Sequence, residues 1–445
     1  MNRYRPPLGA ALAACVLLAA AGARGDSDRP VPPPPPRFPS VLRLEDALRL
    51  LEDHSLDVAS ADVAVRGARA QVRLAGAVPN PSLGFGLGRS WDCPAGTGCT
   101  SPLWSGSLGD QGALAFLVTG QRGLAVDAAE QGLRVAGATR DDVLRNQTFQ
   151  VKQQFVNTAV AARALQFTRE EASRAAETVA LARKRLSAGA ISEADVARLE
   201  VLQMQLEQAV NRAEQAYLQA RVALAQLLGS RPASAEFEVD PTPVLTAAVP
   251  PRLAGATLGS LTEEAGRRRP DAVAARAQVE QARLAASLAR RQLIPQFTLQ
   301  LSYSQQGSTG NYFTPPTGTI GLNVPIPVFY QQQGQIGQAD ATAQAAEVSL
   351  ARLETQVAGD VATAWAAMTA ARSAAERSER RLLDRSRLAR DLVKIQYEKG
   401  AAGLLDLLDA ERTHLSNQID YLQLLDAYWV AVFQLEQAVG EGYLP

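Results

Sequence analysis

Two tracts of this chain repeat apolar residues at coiled-coil spacing for far longer than an ordinary globular helix requires. After Ser192, the residues Leu199, Leu206, Ala213, Ala220 and Leu227 recur every seven positions, with Val196, Val210, Tyr217 and Leu224 on the companion track, broken by Gln203. Alternating steps of three and four are the pattern of helices packed knobs-into-holes. Leu408, Leu415, Leu422 and Trp429 keep the same period later in the chain. Proline is absent between Pro102 and Pro232 and again between Pro327 and Pro445, and Ala, Leu, Gln, Glu and Arg fill both windows. Each window therefore predicts two long helices joined by a tight turn. The helix running from Gly123 to Leu186 would be on the order of 100 Å long at about 1.5 Å per residue. Shorter helices are predicted over 44–77 and 258–293. Each ends just before proline, where the period drops to two: Leu83, Phe85 and Leu87 alternate with glycines, and Phe297, Leu299, Leu301 and Tyr303 with polar residues. This predicts strands at about 82–90 and 297–305, with partners at about 112–118 and 318–326.

The two tracts are copies of one another. "LSAGAISEADVARLE" from Leu186 is echoed by "YEKGAAGLLDLLDAE" from Tyr397, so that Gly189 answers Gly400, Asp195 answers Asp406 and Glu200 answers Glu411, all at an offset of 211. Nearer the N-terminus the offset becomes 214, pairing Asp57 with Asp271 and Pro81 with Pro295. A tandem duplication follows, with repeats at 41–229 and 258–440, a linker at 230–257 and a tail at 441–445. Each repeat reads helix, hairpin, long helix, turn, long helix, with tip turns at 187–192 and 398–403. Such a chain argues for a pseudo-symmetric object rather than a single asymmetric cleft.

Charge and composition narrow the function. Lys plus Arg and Asp plus Glu number 45 each, for zero formal net charge, so no basic face for nucleic acid stands out. Two His and three Cys, none at ligand spacing, leave no metal centre or thiol nucleophile, and no phosphate loop, nucleophile elbow or dinucleotide fingerprint occurs. No cofactor and no enzymatic activity are expected. Residues 1–23 read as an export signal: Arg3 and Arg5, an apolar run from Leu8 to Ala20, and Ala21-Gly22-Ala23 as the cleavage site. Leu12-Ala13-Ala14-Cys15 offers a competing reading as a lipidation box at Cys15. The proline-rich segment within 24–40 is an extended spacer. Beyond the signal no apolar run approaches the roughly 20 residues of a spanning helix, so entry into a bilayer would have to use strands.

Four strands with one apolar face leave backbone unpaired at the sheet edges, and small barrels need about eight. The chain should oligomerise and pool its hairpins into one closed barrel, with the long helices pooling into a second hollow cylinder. The element order, the duplicated "GAISEADVARLE" and "GAAGLLDLLDAE" turns and the export signal resemble the TolC-like outer-membrane efflux channel family. "NVPIPVFYQQQGQIGQADATAQAAE" from Asn323 is similar more narrowly to the cobalt-zinc-cadmium resistance branch. The resemblance implies a mainly α fold with paired β-hairpins, assembled as a homotrimer: a 12-stranded barrel in the outer membrane and a 12-helix tunnel crossing the periplasm. It implies docking onto a periplasmic adaptor and an inner-membrane pump of the RND type. It also places the channel aperture at Asp406, Asp409, Asp195 and Tyr397, and adaptor docking at the turn residues Gly189, Ala190, Gly400 and Ala401. Ala402 stands where some members hold an arginine, which puts a closed-state ion-pair lock in doubt.

Plainer readings stand beside these. Asp406 and Asp409 share a helix face and would ring a pore with carboxylates, yet acids in a first helical turn also simply favour the helix dipole. Cys93 and Cys99, in a Gly/Pro loop exposed to an oxidising compartment, predict a local disulfide before a metal site. His414 reads as a packed or tunnel-lining residue, and Trp91, Trp104, Tyr303, Tyr312 and Phe313 as interfacial aromatics. The expected function is a passive outer-membrane exit duct, with heavy-metal cations as one candidate cargo. Drug efflux, type I protein secretion and a poreless periplasmic coiled-coil scaffold are the alternatives.

Overall fold

The computed structural model describes residues 33–89, 102–230, 236–308, 311–440 and 442. Cys15, Cys93, Cys99 and Trp91 lie outside them. The elements are β1 (Val41–Leu42), α1 (Leu44–His54), α2 (Leu56–Ala75), β2 (Ser82–Gly88), β3 (Leu103–Gly109), α3 (Ala113–Val118), α4 (Gln121–Ser187) and α5 (Glu193–Leu227) in the first repeat. The second holds β4 (Glu238–Val239), α6 (Leu258–Arg268), α7 (Pro270–Arg291), β5 (Thr298–Ser308), β6 (Asn311–Asn323), α8 (Gln333–Arg377), α9 (Asp384–Glu398) and α10 (Leu404–Val439).

Helix α4 runs 67 residues, about 100 Å at 1.5 Å per residue. Its counterpart is broken: a π-helical segment, Ser378–Leu383, separates α8 from α9. Each shorter N-terminal helix is also split rather than continuous. Ser55 leaves the helical region at φ −65°, ψ 131° and caps α2, its hydroxyl accepting from Val58 N. In the second repeat Pro270 takes the first helical position of α7 and holds Arg269 out of the helix, because proline clashes with an α-conformed predecessor. The 214 offset makes these breaks equivalent.

The principal core sits halfway along the long helices, where α4, α5, α8 and α10 pack around Phe155, Leu224, Val361, Tyr428 and Phe433. Chain from the inter-repeat linker and the N-terminal arm wraps it. The parallel pair β1–β4 joins the two, and Phe38 stacks on Phe237 at 4.8 Å. Tyr428 donates to Ala248 O at 2.8 Å and Trp429 Nε1 to Thr246 O at 3.2 Å, so the linker satisfies two buried aromatic donors. Gly229 and Gly440, both at φ +85°, end the two repeats against the helix breaks. A Cβ at Gly229 would lie 2.4 Å from His54 O, and one at Gly440 3.3 Å from Arg269 Cα.

The sheet is antiparallel in the order β2-β3-β5-β6, leaving β2 and β6 as edges. One face carries the row Leu83–Leu108–Leu301–Ile320, followed by Phe85–Gly106–Tyr303–Gly318, with Leu87 beside Trp104 above. The other face is small and polar: Gly84 sits against Ser107 and Gly86 against Ser105, each tightly enough that a Cβ would meet the serine Oγ at 2.5 Å. Two expected strand positions are corrected. Ala113–Val118 is helical, because Asp110 accepts from Gly112 N and Leu114 N at 3.2 Å and nucleates a turn there; the strand lies instead at Leu103–Gly109. The last strand begins earlier than 318 and ends at Asn323, since Pro325 and Pro327 have no N–H to give a ladder.

Candidate functional site: the paired helical tips

Both tips are built by the same local chemistry. In each, the helix ends in a Schellman arrangement around a left-handed glycine. Ala190 N donates to Arg185 O at 2.9 Å across Gly189 (φ +73°), and Ala401 N to Gln396 O at 2.8 Å across Gly400 (φ +77°). Ser192 then opens α5 with a capping box: its Oγ accepts from Asp195 N at 3.2 Å, and Asp195 Oδ2 accepts from Ser192 N at 3.3 Å. At the second tip the corresponding cap is Gly403, which has no hydroxyl. Only the carboxylate half forms, Asp406 Oδ2 accepting from Gly403 N at 3.0 Å.

Among the residues expected at an aperture, then, Asp195 and Asp406 are engaged as caps, while Asp409 is exposed one turn further along α10. Tyr397 is half-buried in the cluster that joins the tips, formed by Val179, Ala182, Val196, Leu199, Leu404 and Leu408. The Arg185 guanidinium lies 5.7 Å from the Tyr397 ring centre, and its Nη2 donates to Glu398 O at 3.3 Å. The turn residues Gly189, Ala190, Gly400 and Ala401 face outward at the end of this four-helix bundle, Gly189 and Gly400 with no heavy atom within 4 Å of an added Cβ.

Behind the tips a groove of about 190 Å³ opens between the two helix pairs, floored by Leu181, Leu199, Leu202, Leu206, Tyr397 and Leu415. A buried charged layer closes its upper end. Glu171 lies 2.9 Å from Arg174 and 3.9 Å from Arg390. Burial raises the carboxyl of Glu171, opposed by Arg174, and that of Glu411, opposed by Arg390 and Lys394. His414, 3 % exposed, is edge-on to Phe167 at 6.2 Å, with Nδ1 3.3 Å from Ser386 Oγ. Burial first, then Arg390 and Arg174, lowers its pKa to about 4, so it is packed and neutral. Arg185, Glu171, Arg174 and Arg390 had no distinguishing signal: each sits in a helix rich in charges that point to water. Among the described residues no cluster of His, Cys, Asp or Glu could hold a metal ion, and no helix is long and apolar enough to cross a membrane.

The family model described as outer membrane efflux protein matches residues 47–230 and 261–441. The chain is 28% identical over 402 residues to Protein CyaE of Bordetella pertussis, covering 87% of this chain and 81% of that protein. It is 24% identical over 443 residues to the cobalt-zinc-cadmium resistance protein CzcC of Cupriavidus metallidurans, covering 99% and 100%. It is 26% identical over 420 residues to the pyoverdine export outer membrane protein OpmQ of Pseudomonas putida, covering 90% and 86%. Its fold matches solved structures of CusC (TM-score 0.73, 21% identity, 90% of this chain and 92% of that one) and of VceC from Vibrio cholerae (0.70, 22%, 90% and 96%).

Proposed function

Since this chain belongs to the outer membrane efflux protein family and resides in the outer membrane, we propose that it is the trimeric exit duct of a tripartite efflux system. Three copies of a four-stranded sheet would close a 12-stranded barrel, and the long helices would continue it as a periplasmic tunnel. A periplasmic adaptor and an inner-membrane pump of the RND type would engage the tips and supply the energy. The carrying observation is the sheet itself: one face apolar from edge to edge, the other lined with Gly and Ser, and two edges that only further copies can satisfy in lipid.

Divalent heavy-metal cations are the proposed cargo. The resemblance to CzcC, which runs the length of both chains, supports this reading, and exposed carboxylates at Asp409, repeated by three-fold symmetry, would raise local cation concentration at the aperture. With no cluster of metal-ligating side chains among the described residues, selection would rest with the pump. The similarity to OpmQ, a pyoverdine export protein, favours a second reading, export of an organic solute.

The test is conductance. Purified protein in planar bilayers should form cation-preferring channels that multivalent cations block from the tip side. Asp409→Ala should weaken both properties, whereas Asp406→Ala should act mainly by loosening the tip. Silence after reconstitution would refute the duct. Deleting the gene should sensitise the host to cobalt, zinc or cadmium; sensitivity to an organic compound alone would decide for the second reading.

A further inference from the structure

Below the last paired residues of the sheet, the chain stays apolar and exposed in both repeats. Leu114, Leu117 and Val118 precede α4; Ile326, Val328 and Phe329 precede α8. The 211 offset superposes Leu117 on Val328 and Val118 on Phe329, so the feature is duplicated with the fold. Val118 is 76 % exposed and Phe329 fully exposed. Neither packs into the protomer, although each sits at the start of a long helix.

Along β5 the apolar face runs from Leu299, paired with Leu322, up to the row where Trp104 meets Gln305. Six residue steps at about 3.4 Å, tilted by about 40°, span only about 15 Å of the membrane normal. Above that row the ladder goes on to pair Gly307 with Tyr312. Outer-membrane barrels present an apolar band about 25 Å tall, more than the rows from Leu299 to Gln305 supply. Apolar chain continues on the periplasmic side, where Asn323 to Ile326 carry on directly from Leu322 for about 13 Å before Val328 N turns back to donate to Ile326 O at 2.9 Å.

We propose that Leu114, Leu117, Val118, Ile326, Val328 and Phe329 form a collar immersed in the acyl chains of the periplasmic leaflet, extending the lipid-facing band below the strands. The collar is continuous with the apolar sheet face, and its occupant is lipid rather than a neighbouring copy. Prolines 325 and 327 remove two backbone donors and Val328 N donates to Ile326 O at 2.9 Å, which reduces the number of N–H groups the segment exposes to hydrocarbon.

Nitroxide accessibility in the reconstituted full-length protein decides the matter. Cysteine would be placed singly at Val118, Val328 and Phe329 in a Cys93→Ser, Cys99→Ser background, spin-labelled and reconstituted into phospholipid vesicles. Leu322→Cys serves as a sheet-face reference and Ser302→Cys as a reference for the opposite face. Immersion predicts collisions with dissolved oxygen as frequent as at Leu322 and loss of collisions with a water-soluble nickel chelate, giving an oxygen-to-nickel ratio roughly tenfold above that at Ser302. A site reached by nickel would place the collar in water, and a site closed to both reagents would place it under a second copy. Either result overturns the proposal while leaving the duct itself standing. Three labelling positions in two repeats keep the test decisive if one variant misassembles, which loss of channel conductance would reveal.

Discussion

Four left-handed glycines hold equivalent backbone conformations in very different surroundings, so one substitution made four times separates backbone strain from packing. Gly189 and Gly400 turn the tips with nothing near a prospective Cβ; Gly440 would press on Arg269 at 3.3 Å; Gly229 would drive a methyl to 2.4 Å from the His54 carbonyl oxygen. Alanine in the left-handed region costs about 1–2 kcal/mol wherever it is placed. At Gly229 the methyl must also push backbone aside by about 1 Å, adding about 1–3 kcal/mol of overpacking. His54 ends α1 against the Ser55 break, so the displaced atoms are main chain rather than a side chain that can swing away. For a chain of this size 1 kcal/mol corresponds to about 1–2 °C, giving losses of about 2 °C at Gly189 and Gly400 and about 5 °C at Gly229, with Gly440 between. Scanning calorimetry of the detergent-solubilised protein, at one fixed scan rate, reads the ranking. Equal losses at all four sites would show that His54 and Arg269 yield freely and that the equatorial joints are not close-packed.

Other outcomes follow from the buried charges. Because His414 is held near pKa 4 against an ordinary 6.5, the unfolded chain binds its proton first on acidification; stability is full above pH 6.5, falls between 6.5 and 4, and is level below. The fall is at most about 3 kcal/mol per protomer. The raised carboxyls of Glu171 and Glu411 work in the opposite sense, adding stability as pH drops, so His414→Gln should flatten the decline in urea unfolding measured from pH 7 to 4. An unchanged pH profile would remove His414 from the account. Arg185→Ala deletes the tie from the first tip to Tyr397 and Glu398, and should raise the open fraction in single-channel recordings while costing under about 1 kcal/mol of stability. Lys152, 2.5 Å from Glu436 with both side chains buried, should cost about 3–5 kcal/mol as Lys152→Met, and the double change Lys152→Met with Glu436→Leu should recover most of it. A double mutant as unstable as the single would refute that.

The long helices and their tips were legible because their signals are local and redundant: heptad spacing, proline exclusion, and glycine followed by a capping acid. The hairpins were half legible. Alternation locates β2, β5 and the later half of β6, whereas the partner of β2 is weak in pattern: Leu103–Gly109 mixes Trp, Ser and Gly, while the apolar run Ala113–Val118 looks more strand-like than it folds. What decides it is Asp110, whose carboxylate caps the following turn while also accepting from Leu299 N at 2.7 Å, a contact made only after β5 arrives. The helix breaks at Ser55 and Arg269 do carry local signals, an N-cap serine and Pro270, which the helical composition on either side outweighs; Gly229 and Gly440 pack against them from 174 and 171 residues further on. At the tips the capping role is readable in the sequence, since glycine, a cap residue and a first-turn acid follow one another. Asp195 and Asp406 serve the backbone, and the buried layer of Glu171, Arg390 and Glu411 emerges only when two helix pairs from opposite halves of the chain meet.

The edges of the sheet also bear on inheritance. A strand left bare on each flank means that, in the trimer proposed above, each copy would be finished by its two neighbours. In a closed three-membered ring, a defective allele expressed at parity with the normal one leaves only about one ring in eight wholly normal. Damage confined to β2 or β6 should therefore behave as a dominant poison, whereas an equally severe lesion that prevents the chain from folding at all would be recessive.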